Sequence, residues 1–143
     1  MEPQRRRDTE DSQRMQEVPP WLNQLSEQVI GAAIEVHKEL GPGYLESVYE
    51  ETLAFELYRS RVPFLRQFRF STLYKGHPVG EGRVDLLIRD IFGVELKAVD
   101  ELTAIHRAQV ISYLRALDKP LGLLINFNVP LLKDGLRRII LSA

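Results

Sequence analysis

The stretch Arg83-Val84-Asp85-Leu86-Leu87-Ile88-Arg89-Asp90-Ile91-Phe92-Gly93-Val94-Glu95-Leu96-Lys97-Ala98-Val99 decides how this chain folds. It holds two short apolar runs interrupted by charge, separated by a polar break. Arg83 to Arg89 and Gly93 to Val99 read as strands joined by a short connection around Asp90 to Phe92. Side chains alternate along a strand, so Glu95 and Lys97 share one face while Val94, Leu96 and Ala98 take the other. With the three-residue loop Asp90-Ile91-Phe92, Arg89 pairs with Gly93 and Asp85 stands opposite Lys97. That register gathers Asp85, Glu95 and Lys97 into one cluster. A two-residue turn would set Asp85 against Leu96 and mix charged with apolar faces, which is the poorer register.

On the C-terminal side, Thr103 to Leu117 reads as a helix ending before Lys119-Pro120. The apolar run Leu121–Ile125 reads as a strand buried on both faces. Asp134-Gly135 marks a turn and Leu136 to Leu141 a last strand. On the N-terminal side, Phe64 to Tyr74 alternates with Phe64, Phe68, Phe70 and Tyr74 on one face, and Lys75-Gly76-His77-Pro78 is a turn. A helix from near Leu45 to about Arg59 is expected to bury Leu45, Val48, Thr52 and Phe55. Another runs from Ser26, as N-cap, to Leu40, with Gly41 as the stop. The order predicts an α/β fold, an α+β-like mixed sheet with helices on both faces and no internal repeat.

Residues 1–22 carry Arg5, Arg6, Arg7 and Arg14 against five acids, with almost nothing apolar before Val18. Such a segment cannot offset its ordering entropy, so it reads as a mobile tail ahead of a single domain at 23–143. The whole chain has 143 residues, 19 Lys+Arg, 20 Asp+Glu and no cysteine, which excludes disulfides, Cys-ligated metal sites and a thiol nucleophile. The basic Arg5-Arg6-Arg7 run is followed by acids and not by an apolar export segment, and no apolar run approaches the ~20 residues of a membrane helix. A soluble, cytoplasmic protein with no membrane partner is expected.

Two carboxylates a few ångströms apart repel unless a cation lies between them, and oxygen-only ligands suit Mg²⁺, with Mn²⁺ as the alternative. A lysine beside them can position a water or offset phosphate charge. The competing reading of Asp85, Glu95 and Lys97 is a solvated ion-pair set, and spacing alone leaves both open. Covering helices favour the first, since charge on a covered face is costly without a specific partner. Glu46 and Tyr49 lie at i and i+3 near the start of the second helix, where Glu46 could equally serve the positive helix terminus.

The chain resembles the GxxExxY proteins, a branch of the PD-(D/E)XK nuclease-like superfamily. The resemblance rests on Gly43-Tyr44-Leu45-Glu46-Ser47-Val48-Tyr49, Val84-Asp85-Leu86-Leu87, Val94-Glu95-Leu96-Lys97-Ala98, Gln109 and Tyr113, and continues from Gly122 to Gly135. It covers roughly residues 25–141, and Val84 stands where a proline is usual. The resemblance implies a PD-(D/E)XK nuclease-like core of helix, three strands, helix and strand, with an extra N-terminal helix. It implies Glu46 as the helix-borne acid and Asp85 and Glu95 as metal ligands together with the Leu96 carbonyl. Lys97 would lie near the attacking water, and Gln109 and Tyr113 would be the helix-borne glutamine and its companion.

Gln109, Tyr113 and His106 share one face of the third helix, beside an Ile105, Ala108 and Ser112 stripe expected to pack; His106 reads as an ordinary histidine near a helix start. Between Leu57 and Gly80 lie Arg59, Arg61, Arg66, Arg69 and Lys75 with no acid, interleaved with aromatics, and Arg137 and Arg138 form a second small cluster. Such local density suits phosphates, so Arg66, Arg69 and Lys75 are candidate nucleic-acid contacts. Together these readings point to a Mg²⁺-dependent nuclease acting on nucleic acid, DNA before RNA, with a homodimer expected because a single small domain would contact only one strand. The alternatives are a catalytically silent nucleic-acid- or protein-binding module on the same fold, or an enzyme for small phosphate esters, for which no Gly-rich phosphate loop is present.

Overall fold

The computed structural model describes residues 18–141. Helix α1 (Pro20–Leu40) begins earlier than Ser26. A proline's missing N–H and fixed φ suit the first helical position, so Pro20 opens the helix behind Pro19. Ser26 is an interior residue whose hydroxyl donates to Asn23 O at 3.0 Å. Val18 and Leu22 are buried with Leu25, Val29, Ala33 and Val36, so the last residues assigned to a tail belong to the folded body. The rest of that segment, residues 1–17, lies outside the described residues.

Helix α2 (Glu46–Arg59) buries Tyr49, Leu53, Ala54 and Leu57. This corrects the expected face: Leu45 precedes the helix at 76% exposure, and Phe55 points outward beneath the Arg59 guanidinium. The rotation is set by Tyr49, whose hydroxyl donates to Gly41 O at 2.6 Å and whose ring stacks on Phe127 at 4.5 Å.

Five strands, β1 (Phe64–Tyr74), β2 (His77–Ile88), β3 (Phe92–Lys97), β4 (Leu121–Asn126) and β5 (Leu136–Ile140), form one sheet in that spatial order. Only β3 and β4 run parallel; the other neighbours are antiparallel. A parallel step needs a crossover, supplied by α3 (Ala104–Leu117). One apolar cluster joins α1 and α2 to Leu86, Ile88, Val94, Leu96, Leu123 and Ile125, and a second joins α3 to Val84, Leu87 and Leu124. The fold is therefore mixed α/β with both sheet faces covered. β4 is buried along its whole length, as its unbroken apolar run implies. No helix among the described residues is long and apolar enough to cross a membrane.

β1 and β2 form a hairpin closed by Lys75 and Gly76, both left-handed. Residues 71–81 are exposed, so the outer half projects from the body as a two-stranded ribbon. The ribbon also changes face. Phe64, Leu86 and Ile88 pack in the α1/α2 cluster, whereas Phe68, Phe70 and Val84 pack in the α3 cluster. The reversal falls at Gln67, held left-handed at φ 52°, where the pairing skips the Gln67/Asp85 level. Phe64 thus does not share a face with Phe68 and Phe70, and Tyr74 is exposed. Beyond the reversal the Phe70 ring lies across Gly82, where any Cβ would collide with it.

β2 and β3 pair through Ile88–Phe92, Leu87–Gly93 and Leu86–Val94. The connection is Arg89-Asp90-Ile91, with Arg89 and Asp90 left-handed and Ile91 N–H donating to Ile88 O at 2.8 Å. The register therefore differs by two residues from an Arg89–Gly93 pairing. Parity is preserved, but Glu95 and not Lys97 is Asp85's counterpart.

Candidate active site

The β2–β3 ladder stops after Leu86–Val94, one step short of Asp85 and Glu95. Side chains take over the amides there. Asp85 Oδ2 accepts the Leu96 N–H at 2.8 Å, and Glu95 Oε1 accepts the Asp85 N–H at 3.3 Å. Asp85 is only 7% exposed. Burial first, and then the adjacent Asp85 charge, push the Glu95 carboxyl up to about 8, with Lys97 acting in the opposite direction. Two acids thus share a covered site that favours one charge fewer than they carry when both ionise.

Glu46 comes to the same place from the first turn of α2. Its carboxyl is raised chiefly by partial burial and next by Asp85, while Lys97 lowers it. Tyr49, although three residues on, does not share the site; it is fully buried. Its hydroxyl also accepts the Tyr44 N–H at 3.2 Å, fixing the loop in which Gly43 holds φ 107°. Only glycine adopts that angle freely, so Gly43 and Tyr49 together present Glu46.

α3 forms the opposite wall. Arg83, Glu95, Lys97, Gln109 and Tyr113 line one cleft of about 510 Å³ between the ribbon and this helix. Gln109 is exposed, whereas Tyr113 is 3% exposed, with a hydroxyl that has no hydrogen-bond partner among the described residues. Burial, followed by Glu95 and Asp85, pushes the Tyr113 hydroxyl well above its ordinary range. Gly93 makes room for it, since a Cβ there would lie 2.7 Å from Tyr113 Cε1. Ile105, Ala108 and Ser112, expected to pack, are exposed and line the cleft. His106 caps the helix, its Nδ1 accepting the Thr103 N–H at 3.0 Å.

The donor set fits a hard divalent cation. Among the described residues no three His, Cys, Asp or Glu side chains group as a metal site, but Mg²⁺ is commonly held by one or two carboxylates, with waters and phosphate oxygens completing its shell. Asp85 and Glu95 are such a pair, all oxygen, and a cation between them would offset both the burial and the Asp85 repulsion that raise Glu95. The Lys97 ammonium makes no hydrogen bond or ion pair among the described residues, although its backbone carbonyl accepts the Phe127 N–H at 2.9 Å.

The basic residues divide. Arg66 donates through Nε and Nη2 to Glu50 Oε2 at 3.1 and 2.8 Å and reaches Glu51 Oε1 at 2.8 Å. These contacts tie its exposed side chain to α2. Arg69 lies 3.9 Å from Glu81, both well exposed, and Lys75 sits over the Tyr74 ring at the ribbon tip. Arg138 is turned inward onto Asn23 and Ser26, and Arg137 onto the Asp134 and Leu136 carbonyls, so this pair joins β5 to its surroundings.

Sequence reasoning missed two polar residues at the site. Gln67 donates to Asp85 Oδ1 at 3.2 Å and to Glu50. Asn126, at the Lys97 level of β4, accepts the Val99 N–H at 3.0 Å and donates to Val99 O at 2.9 Å, holding the chain that leaves Lys97. A lone amide ending the apolar run of β4 was the available signal for Asn126. For Gln67 it was a lone amide inside an aromatic strand.

The chain matches the PD-(D/E)XK nuclease superfamily over residues 23–139. It belongs to that superfamily, whose nucleases generally use divalent metals. No curated protein matches it.

Proposed function

We propose that this chain is a GxxExxY-type nuclease that hydrolyses phosphodiester bonds of nucleic acid, with DNA as the first substrate to test and Mg²⁺ or Mn²⁺ as its cofactor. The observation that carries the reading is the broken ladder at Asp85 and Glu95, with Glu46 and Lys97 converging on it from α2 and β3. Asp85, Glu95 and the Leu96 carbonyl would hold the cation, with Glu46 beside them. When bound, it would supply Lewis-acid stabilisation of the charge that builds on the phosphoryl oxygens.

The chain's own groups do the rest. Lys97 presents its ammonium to the attacking water and the phosphoryl oxygens, where charge develops. The water oxygen bonds to phosphorus opposite the leaving oxygen, the bridging P–O bond breaks, one water proton departs and the alkoxide gains a proton. Gln109 and Tyr113 bound the approach from α3. Arg69 and Lys75, exposed on the ribbon, hold phosphates away from the scissile one. A cytoplasmic protein, acting as a homodimer where both strands are cut, completes the reading.

Purified protein should cleave labelled DNA or RNA with Mg²⁺ or Mn²⁺ and not with chelator, and should bind Mn²⁺ in a manner lost in Asp85→Ala. The absence of both cleavage and such binding would refute the proposal.

A further inference from the structure

Asp85 is held at both oxygens by uncharged donors. Leu96 N–H takes Oδ2 and the Gln67 amide nitrogen takes Oδ1, at 2.8 and 3.2 Å. A carboxylate offers about four lone-pair directions, so each oxygen keeps one for a cation. The Gln67 nitrogen has two hydrogens, and its other contact is Glu50 Oε1 on α2. The amide orientation follows from its surroundings: turned over, it would set its oxygen against two carboxylates. As oriented, Gln67 Oε1 is buried without a partner among the described residues, so both contacts of the side chain run through the nitrogen.

Glu50 is fixed in turn. Its Oε2 takes the Arg66 guanidinium fork through Nε and Nη2, the directional pairing that a lysine cannot reproduce. The chain of contacts Arg66–Glu50–Gln67–Asp85 therefore spans from α2 through mid-β1 to the end of the β2–β3 ladder. The backbone is bent to permit it. Gln67 is left-handed at φ 52°, uncommon for a residue other than glycine, and it sits where the ribbon changes face. Strain of this kind persists where the surroundings impose it, and it gathers at functional sites. Without the reversal, Gln67 would alternate regularly with Arg66 and Phe68 along β1.

We infer that Gln67 is a positioning residue for the proposed metal ligand Asp85, with Glu50 and Arg66 as its outer anchor, so that Arg66 serves cation binding and not the nucleic-acid backbone. The inference rests on the metal reading of Asp85 and Glu95. Partners behind a ligand commonly alter metal affinity by 10–100-fold when removed.

The test measures Mn²⁺ affinity by calorimetry and metal-free melting temperature for wild type, Gln67→Leu, Gln67→Glu and Arg66→Ala. Oligonucleotide binding in Ca²⁺ at several salt concentrations is measured alongside. Gln67→Leu removes the donor, and Gln67→Glu keeps the shape while placing a third carboxylate between two others. Both should weaken Mn²⁺ binding about 10-fold or more, whereas a packing role alone would survive the glutamate. Arg66→Ala should weaken Mn²⁺ binding while leaving the slope of log affinity against log salt at its wild-type value. A slope reduced by about one unit with unchanged Mn²⁺ affinity would assign Arg66 to a phosphate and overturn the inference. Wild-type Mn²⁺ affinity in both Gln67 variants would overturn it too, and leave the nuclease reading standing. Absence of Mn²⁺ binding by wild type would overturn the inference, and joined to an absence of metal-dependent cleavage it would overturn the nuclease reading as well. If Gln67→Leu does not fold, the isosteric glutamate and Arg66→Ala carry the same decision.

Discussion

The inner and outer halves of the β1–β2 ribbon belong to one antiparallel hairpin, its pairing interrupted at the Gln67/Asp85 level and shifted in register between Thr72 and Leu73, yet they live in different environments. Inside, Phe64, Leu86 and Ile88 lie in the core beneath α1 and α2. Outside, residues 71–81 are exposed, including Leu73, Tyr74 and Val79, and this half carries Arg69, Lys75 and Arg83 at or near its faces. The halves meet at Gln67 and Asp85, where the faces exchange and the β2–β3 ladder ends. The contrast teaches where a sheet can host chemistry. Fully paired and covered strands have no unused amides and tolerate no charge, while an exposed ribbon cannot desolvate a site. The seam between them offers both unpaired backbone and partial burial.

That contrast orders the expected effects. At the seam, Lys97→Ala should lower turnover by about 10²–10³-fold while nucleic-acid binding in Ca²⁺ persists, measured by single-turnover cleavage and anisotropy. A variant that cleaves normally removes Lys97 from the chemistry. In the inner half, Ile88→Ala should lower unfolding free energy by about 2–5 kcal/mol in urea melts, because it empties a packed core. A cost near zero would mean the inner half is not core.

Glu95 gives a pH dependence of definite sign. Its folded carboxyl titrates near 8 against an ordinary 4.5, so the folded state binds the proton more tightly. Its stabilising effect is full at pH below the unfolded value and is lost as pH rises through about 8. Without divalent ion the melting temperature should fall by roughly 5–10 °C across that window. Glu95→Gln should flatten the fall, and Mn²⁺ should reduce it. A melting temperature that rises with pH in the metal-free protein would contradict the placement of Glu95 beside Asp85.

On the outer half, Arg69→Ala with Lys75→Ala should leave stability unchanged and shallow the salt dependence of binding by about one to two units of slope. Smallest of all, Leu73→Ala should alter stability by no more than about 0.5 kcal/mol, since its side chain is exposed.

Much of this was legible in the residues. The element order and the double-sided burial of β4 followed from patterning, and Glu95 and Lys97 share a face because they are two apart on a strand. The remainder depended on tertiary contacts. Tyr49-Leu53-Leu57 and Leu45-Thr52-Phe55 are both plausible helical stripes, and only the bond from Tyr49 to Gly41 and its stacking on Phe127 select the first. The β2–β3 register turns on left-handed Arg89 and Asp90, which carry no glycine signal. Aromatics continue at even positions through Phe64, Phe68 and Phe70, so nothing in their spacing marks the reversal at Gln67. Arg66 reads as one of five bases until Glu50 and Glu51 are seen to claim it.

The central claim is that Asp85 and Glu95 hold a divalent cation at this seam. Anomalous diffraction from a crystal soaked in Mn²⁺ addresses it most directly. A single strong peak is expected within bonding distance of both carboxylates, absent from Asp85→Ala crystals soaked in the same way. A wild-type map with no peak there, or a peak that survives in Asp85→Ala, would contradict it.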